Sequence, residues 1–515
     1  MAPEAKNSDS SIDIEIDHAL ARKVPLSFAK RYKVLPLRKE GEDILIAFTK
    51  EGFESHLRDD LRALFHAEIK PYFVESEELA RLIAGVYYSE REAASGIIEN
   101  LKKERPALSL DIEGPKDLFE DSEEGPVISF VNSLLSEALK KKASDIHLEP
   151  FEEEVRVRYR VDGILYDGLS LPSTLYPNVS TRIKVMASLN IAEKRLPQDG
   201  RIRIKVGGRD VDIRVSLIPT AFGERVVLRL LNREDIHLGL EDLGFETEDL
   251  EEFTNLIHRD HGLILVTGPT GAGKTTTLYA ALSEINSPEK NILTIEDPIE
   301  YQLNGVGQMH VNPKIGLTFA RGLRHILRQD PDVIMIGEIR DVETAEIAIH
   351  ASLTGHLVIA TLHTNDTAGA ITRLLDMGVE PFLVSSTLLA VLAQRLVRIL
   401  CPSCKEGYSP SQEELSLIKR MRLDHSSSSG KPLHLYKKIG CEECFNTGYR
   451  SRIGIYELLT FSDPIRRLIV EKADASVIKK EAVGEGMKSL KKIGILKFLK
   501  GVTTKEEVAR VTRDG

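Results

Sequence analysis

The chain has 515 residues, 42% of them apolar and 29% charged. At ~150 residues per domain that is room for about three domains, and the balance excludes a wholly disordered chain. Acids outnumber bases by 79 to 69, for a formal net charge of -10, with no Trp, 6% aromatics and four cysteines; this argues against a nucleic-acid coat or base-stacking platform and excludes a disulfide-rich secreted scaffold.

In chain order, Met1–Asp17 is polar and acidic, with no basic stretch leading into an apolar one, so no signal peptide is expected. Residues 1–104 predict a small α/β unit, with helical Ser27–Tyr32 and Ser76–Tyr87 flanking an extended Asp43–Phe48. Residues 105–125 hold Pro106, Gly114, Pro115, Gly125 and the acids Glu120, Asp121, Glu123 and Glu124, the composition of a solvated linker. A second α/β unit, 126–239, opens at Pro126, a good first-turn residue, leading a periodic helix to about Lys142. Strands are predicted at Glu154–Val161, Arg201–Val206 and Val211–Ser216, where apolar residues alternate with outward arginines. That arginine face reads either as a solvated polar surface or as one that reaches an anion.

From about Leu240 the pattern changes. Short apolar strands, Leu263–Val266, Ile292–Ile295, Val333–Ile336 and Leu357–Ala360, alternate with helices through residues 240–400, predicting a parallel sheet with crossovers. Phe382–Leu400 comes nearest to a membrane-spanning run, but Gln394, Arg395 and Arg398 interrupt it, so it reads as an amphipathic helix. Residues 401–450 form a cysteine-bearing insertion containing Ser426–Ser429, and 451–515 read as helical.

Gly268-Pro269-Thr270-Gly271-Ala272-Gly273-Lys274-Thr275 fits G-x-x-x-x-G-K-[ST], between the strand Leu263–Val266 and a predicted helix Thr275–Asn286. Glycines in that context let backbone N–H groups converge on phosphate oxygens, and the helix amino terminus adds a favourable dipole. Lys274 is expected on the β- and γ-phosphates of ATP and Thr275 on Mg²⁺, with Thr276 ending the nucleotide-contacting run. Hydrolysis also needs a carboxylate near the γ-phosphate to orient water. Glu338, just beyond the buried strand Val333–Ile336, is the candidate. Gly337 stands where many P-loop enzymes carry a magnesium-supporting Asp, so an acid of Ile295-Glu296-Asp297-Pro298-Ile299-Glu300 is expected to support the metal. His356 and His363 bracket another buried strand, and each reads as a γ-phosphate sensor or as a structural residue.

All four cysteines fall in two C-x-x-C pairs, Cys401/Cys404 and Cys441/Cys444. They predict a tetrahedral four-thiolate Zn²⁺ site, with a disulfide or free thiols as the bland alternatives. The 36 residues between the pairs exceed the ~15–20 of a common zinc ribbon, so they must form a loop or subdomain, which costs little closure entropy. Lys431, Lys437, Lys438, Arg450 and Arg452 leave a nucleic-acid-binding ribbon open, against few aromatics.

Taken in order, Gly268–Thr275, the I-E-D-P-I-E run, G-E-I-R-D at Gly337–Asp341 and T-G-H…T-L-H-T at Thr354–Thr364 resemble the Walker A, Asp-box, Walker B and His-box elements of the secretion (traffic) ATPases. Those enzymes power type II secretion and type IV pilus assembly. The likeness extends through Ala143–Pro150, Pro197–Arg201 and Asp212–Ser216 and covers most of residues 126–500. It implies a multidomain α/β P-loop NTPase, with nucleotide between a PAS-like α/β amino-terminal lobe and a RecA-like lobe, assembled as a homo-hexamer. It further implies Glu338 as the catalytic glutamate, Glu300 as the Asp-box glutamate and His363 as the His-box residue. Arg214 and Arg229 match arginines that reach nucleotide from the amino-terminal lobe, and Arg324 and Arg328 match arginines at the nucleotide or subunit interface. The zinc insertion resembles that of the assembly-type members.

Val24–Tyr32 with Val34–Leu37 resembles the domain that docks type II secretion ATPases on a cytoplasmic domain of an inner-membrane protein. Pilus-assembly relatives share it, often within a longer amino-terminal region. The resemblance thus implies a cytoplasmic ATP-hydrolysing motor for pseudopilus assembly in type II secretion, peripheral on the inner membrane through that protein and an inner-membrane platform protein. Its cofactors would be ATP, Mg²⁺ and Zn²⁺, and no nucleic acid is expected as partner. A pilus-assembly motor is the alternative, followed by a nucleic-acid-translocating ring and a nucleotide-gated scaffold.

Overall fold

A computed structural model describes residues 16–87 apart from 22, 25–27, 30–31, 42, 50–54 and 66, then 125–231 apart from 207–208, then 238–421 and 433–513. Of the expected linker only Gly125 is described; Ser426–Ser429 lies outside the described residues, and so does Ser27–Tyr32 except at Phe28, Ala29 and Tyr32. The chain divides into two compact units, Met1–Val161 with Leu165–Leu231, and Asp162–Ile164 with Asn232–Gly515.

The first unit begins with a three-stranded sheet in the order β1 (Val34–Glu40), β2 (Asp43–Phe48), β3 (Ile69–Phe73). Strands β1 and β2 pair antiparallel. The helix Ser55–Phe65 is the crossover that lets β3 lie parallel to β2. Leu35, Leu37, Ile46, Phe48, Leu57, Leu61 and Leu79 form a dry core between this sheet and the helices Ser55–Phe65 and Ser76–Tyr87.

Six further strands follow: β4 (Asp145–Pro150), β5 (Glu154–Val161), β6 (Ile164–Pro172), β7 (Gln198–Val206), β8 (Arg209–Thr220) and β9 (Gly223–Leu231). Their order is β6-β5-β4-β9-β8-β7. The alternation expected from sequence puts Ile146, Leu148, Val157, Tyr159, Ile213, Val215 and Leu228 into one core with residues of the helices Pro126–Lys140 and Tyr176–Met186. The opposite face holds two buried acids, each between arginines. Asp145 meets Arg229 at 2.9 Å and Arg160 at 3.5 Å, and Glu149 meets Arg158 at 2.7 Å and also Arg225. These four arginines each pair with an acid of their own sheet.

The second unit is built on β10 (Gly262–Thr267), β11 (Ile292–Glu296), β12 (Val306–His310), β13 (Val333–Ile336), β14 (Leu357–Leu362) and β15 (Leu388–Leu400), with β18 (Tyr449–Thr460) at one edge. The order is β12-β11-β13-β14-β10-β15-β18, parallel throughout except for the antiparallel β15–β18 pair. Two strands between them, β16 (Glu406–Tyr408) and β17 (Leu435–Lys437), pair separately. Every residue of β10, β13 and β14 is buried, as a parallel sheet covered on both faces requires. This is the RecA-like lobe of an α/β, multidomain P-loop NTPase.

Two expectations are corrected. Phe382–Leu400 is not one amphipathic helix: a short helix, Pro381–Thr387, gives way to the 13-residue strand β15. The polar residues that suggested a solvated stripe are buried, because each finds partners inside the protein. Residues 451–460 are likewise strand rather than helix: β18 covers the edge of β15. Its one acid, Glu457, is buried and accepts from Thr367 N, Thr367 Oγ1 and Leu490 N at the amino ends of two helices.

Candidate nucleotide site

Phosphate chemistry belongs at the carboxyl ends of the parallel strands. Thr267 ends β10, the loop Gly268–Gly273 turns, and the helix Lys274–Ile285 begins. Gly273 has φ 87°, a left-handed conformation that any side chain would strain. Space is as restrictive as conformation: a Cβ on Gly273 would sit 2.9 Å from Gln394 Nε2, and one on Gly268 would sit 2.6 Å from Gln394 O. Pro269, Thr270 and Gly271 are exposed, Ala272 is buried, and Thr275 and Thr276 lie half-buried on the first helical turn.

Lys274 donates through Nζ to Gly268 O (2.7 Å) and Pro269 O (3.2 Å). Burial pushes its pKa down to about 8; the Glu338 carboxylate opposes that shift and the Arg395 cation adds to it. A desolvated cation bonded to loop carbonyls is a receptor for an anion. Glu338, just past β13, is mostly buried, pairs with Arg340 and lies 3.4 Å from His363 Nε2. Burial and the nearby Lys274 charge lower the His363 pKa, so its half-exposed imidazole is neutral at pH 7.

The segments carrying these groups are fastened to one another. Thr267 Oγ1 accepts from Thr364 N at 2.9 Å, Ile339 N donates to Thr361 O at 2.9 Å, and Thr361 Oγ1 donates to Gly337 O. Lys274, Glu338 and His363 are therefore brought together.

Among the acids of the second cluster, Glu296 is buried and engaged by Tyr279 Oη, Thr294 Oγ1 and Gln308 Nε2, which leaves it no role at a metal. Asp297 and Glu300 are exposed beyond the end of β11. Together with the Thr275 hydroxyl they are the hard oxygen donors that suit Mg²⁺. His356 lies at the amino end of β14, opposite to His363, where its Nδ1 meets Ala351 O (2.9 Å) and Thr354 Oγ1 (3.2 Å); it is structural. Arg214 and Arg229 are cross-strand partners in the first unit, and Arg229 donates to Asp145. Arg324 pairs with Glu343 at 2.6 Å, and Arg328 donates to Arg324 O and contacts His325 Nδ1, all on the exposed surface of the second unit.

Sequence reasoning missed Gln394 and Arg395, which it read as polar interruptions of an amphipathic helix. A glutamine and an arginine inside an apolar run can also signal internal partners, because a buried polar group must be hydrogen-bonded. It also left Arg340 unassigned within the G-E-I-R-D run.

The cysteines converge. Sγ–Sγ distances are 3.9 Å for Cys401–Cys441, 3.8 Å for Cys404–Cys444 and 3.7 Å for Cys441–Cys444. All four sulfurs lie within 4.8 Å of one another. A tetrahedron of ~2.3 Å Zn–S bonds has edges of ~3.8 Å, whereas a disulfide needs ~2.05 Å, so the set fits zinc and excludes a disulfide. Backbone N–H groups of Gly440, Cys441 and Gly448 point at the sulfurs of Cys404 and Cys444 at 3.2–3.3 Å, as thiolates require. Of the nearby cations, Lys437 pairs with Glu406, Arg450 with Glu443, and Lys438 lies over the Tyr449 ring. Lys431 lies outside the described residues.

Among the described residues no helix is long and apolar enough to cross a membrane. The family described as Type II/IV secretion system protein matches residues 120–510, and the MshEN domain matches residues 11–93. The chain is 46% identical to the type II secretion system ATPase E of Vibrio cholerae, covering 96% of this chain and 97% of that one. It is 48% identical to the type II secretion system protein E of Pseudomonas aeruginosa, covering 98% of each. With the type IV pilus assembly ATPase PilB of Myxococcus xanthus the identity is 42%, over 96% of this chain and 87% of the relative. Among solved structures, the pilus retraction motor PilT with bound ADP aligns at TM-score 0.50 and 27% identity, over 74% of this chain and 96% of that one. The Legionella pneumophila ATPase DotB aligns at TM-score 0.56 over 78% and 99%, and at 21% identity it attests the fold.

Proposed function

This chain belongs to the type II/IV secretion system protein family, and we propose that it is a cytoplasmic ATP-hydrolysing motor, working as a homo-hexamer, that drives pseudopilus assembly and protein export by a type II secretion system. The observation that carries the chemistry is the convergence of Lys274, Glu338 and His363 beside the glycine loop. Backbone N–H groups of Gly268–Thr276 would hold the phosphates, and Lys274 would neutralise charge on the β- and γ-oxygens. Glu338 would take a proton from the attacking water while Arg340 and His363 hold its carboxylate in place. Mg²⁺ supplies charge neutralisation on the phosphates when bound; Thr275, with Asp297 or Glu300, would hold it, and Glu300 also stands where the family carries its Asp-box glutamate. Arg214, Arg229, Arg324 and Arg328 are assigned to nucleotide contact in the assembled ring.

The domain plan that goes with this reading is a docking domain at 1–104, an acidic linker at 105–125, and ATPase lobes at 126–239 and 240–400. A tetracysteine zinc module at 401–450 and a carboxyl-terminal region at 451–515, helical only beyond β18, complete it. Residues 1–104 would bind the cytoplasmic domain of an inner-membrane secretion protein, hold the motor at the inner membrane and place it beside the platform protein. Likeness along nearly the whole length to two type II relatives, both somewhat nearer in identity than the pilus-assembly relative, supports this machine over pilus extension. The test is to immobilise the full chain, pass detergent-solubilised inner membrane over it and identify what is retained. Capture of the type II docking protein is the expected result; capture of pilus platform components would transfer the motor to pilus assembly.

A further inference from the structure

Strand β15 passes behind the phosphate loop, and two adjacent residues on it serve different neighbours. Gln394 is 1% exposed; its Nε2 donates to Ala272 O at 2.7 Å and its Oε1 accepts from Thr277 Oγ1 at 2.9 Å. Both partners belong to the loop and the helix it starts. Arg395, 8% exposed, donates through Nη2 to Asn365 O (2.8 Å) and Asn365 Oδ1 (3.1 Å), two residues after His363. Its Nη1 donates to Gln394 O at 3.0 Å.

We propose that Gln394 and Arg395 are positioning residues that form a bracket, Gln394 fixing the shape of the phosphate loop and Arg395 fixing the segment that carries His363. The inference rests on the reading of this site as an ATPase. Three features point to a bracket rather than to core filling. An apolar residue would fill a doubly covered strand at lower cost, because a buried guanidinium is expensive to desolvate and a buried amide must find two partners. Gln394 spends both of its hydrogen-bonding ends on the nucleotide loop and its helix and none on its neighbouring strands. Gly268 and Gly273 are also the positions whose missing Cβ atoms make room for Gln394 O and Nε2, so loop and strand are fitted to each other.

The bracket splits the kinetic consequences. Gln394→Glu keeps the size and the acceptor for Thr277 but removes the donor to Ala272 O; a lost hydrogen bond of this kind is a factor of about ten. Arg395→Gln releases Asn365 and leaves Gln394's bonds to the loop and its helix in place. Full-length variants are compared with wild type for ADP affinity, kcat and KM for ATP, and unfolding midpoint. We expect Gln394→Glu to raise the ADP Kd about tenfold, and Arg395→Gln to lower kcat at least about tenfold with ADP affinity held within about twofold. A core-filling role would lower the midpoint and leave the constants of the folded fraction unchanged. A folded Gln394→Glu with wild-type ADP affinity, or an Arg395→Gln with wild-type kcat, overturns the proposal. If Gln394→Glu does not fold, Thr277→Val removes the other bond of the same amide and is expected to weaken ADP binding about threefold; unchanged binding there also overturns it. Wild-type protein that binds ADP without turning ATP over would defeat the hydrolytic reading, while the Gln394 assignment would still stand or fall on ADP affinity.

Discussion

Two stretches of strand β15 stand in opposite electrostatic conditions. At its middle, Gln394 and Arg395 adjoin the phosphate loop, where Lys274, pushed down to about 8 by burial, bonds to two loop carbonyls. At Arg398 it meets Glu507, which takes that guanidinium at 2.8 Å, Arg510 at 2.6 Å and the Arg398 backbone N–H at 3.1 Å. The Tyr449 ring lies 4.0 Å from the Arg398 guanidinium carbon. These arginine contacts outweigh burial and hold the Glu507 carboxyl at about 2. A charge with an incomplete set of partners is available to a ligand, whereas one whose lone pairs are filled by its own chain serves the fold.

That contrast can be broken at either stretch. The largest effect should follow Lys274→Ala: ATP turnover by the assembled protein falls by at least about 10³-fold, since the lysine acts on charge developing in the transition state. Stability should stay within about 1 kcal/mol, because a desolvated cation is removed; phosphate release and thermal unfolding report the two. Stripping the cysteine site with a chelator should release one zinc ion per chain, counted by elemental analysis. It should cost about 4 kcal/mol of stability, a fraction of the ~10–16 kcal/mol of zinc-finger peptides because the module is joined to a larger core. Glu507→Gln should cost about 3 kcal/mol by leaving the buried Arg398 without its counter-charge, with turnover per folded molecule unchanged.

Acid sharpens the last point. The folded carboxyl titrates at about 2 against an ordinary 4.5, so its contribution is complete above pH 4.5 and is lost as pH falls toward 2. Denaturant titrations between those limits should show wild type losing more stability than Glu507→Gln, and parallel curves would remove Glu507 from the fold's charge balance. The smallest effect should come from Arg340→Ala. Its pairing with Glu338 is exposed on the arginine side, so stability should move by less than about 1 kcal/mol, with kcat changed only several-fold.

Strands β10, β11, β13 and β14 of the second unit were legible because each is a short, apolar, β-branched-rich run, as at Val333–Ile336, and a parallel sheet demands that pattern. Lys274, Thr275 and Glu338 were legible because their chemistry fixes residue type and position beyond a strand. The cysteine quartet was legible because both pairs have ligand spacing. Strand β15 was not legible, since Gln394, Arg395 and Arg398 mimic a solvated stripe until their distant partners, Ala272, Asn365 and Glu507, are in place. Strand β4 escaped for a related reason: Asp145 and Glu149 look like surface acids, yet arginines from neighbouring strands make their burial possible. The separation of Glu296 from Asp297 and Glu300 required the observed hydrogen bonds of Tyr279 and Gln308.

The central claim is that the crevice at the end of β10 hydrolyses ATP with Glu338 as the base. The most direct test is to assemble full-length Glu338→Gln, confirm that it binds ATP as tightly as wild type, and follow phosphate release. Turnover reduced by at least about 10²-fold with binding intact is the result expected for loss of a general base. Near-wild-type hydrolysis by the folded, ATP-bound variant would contradict the account and remove Glu338 from the chemistry.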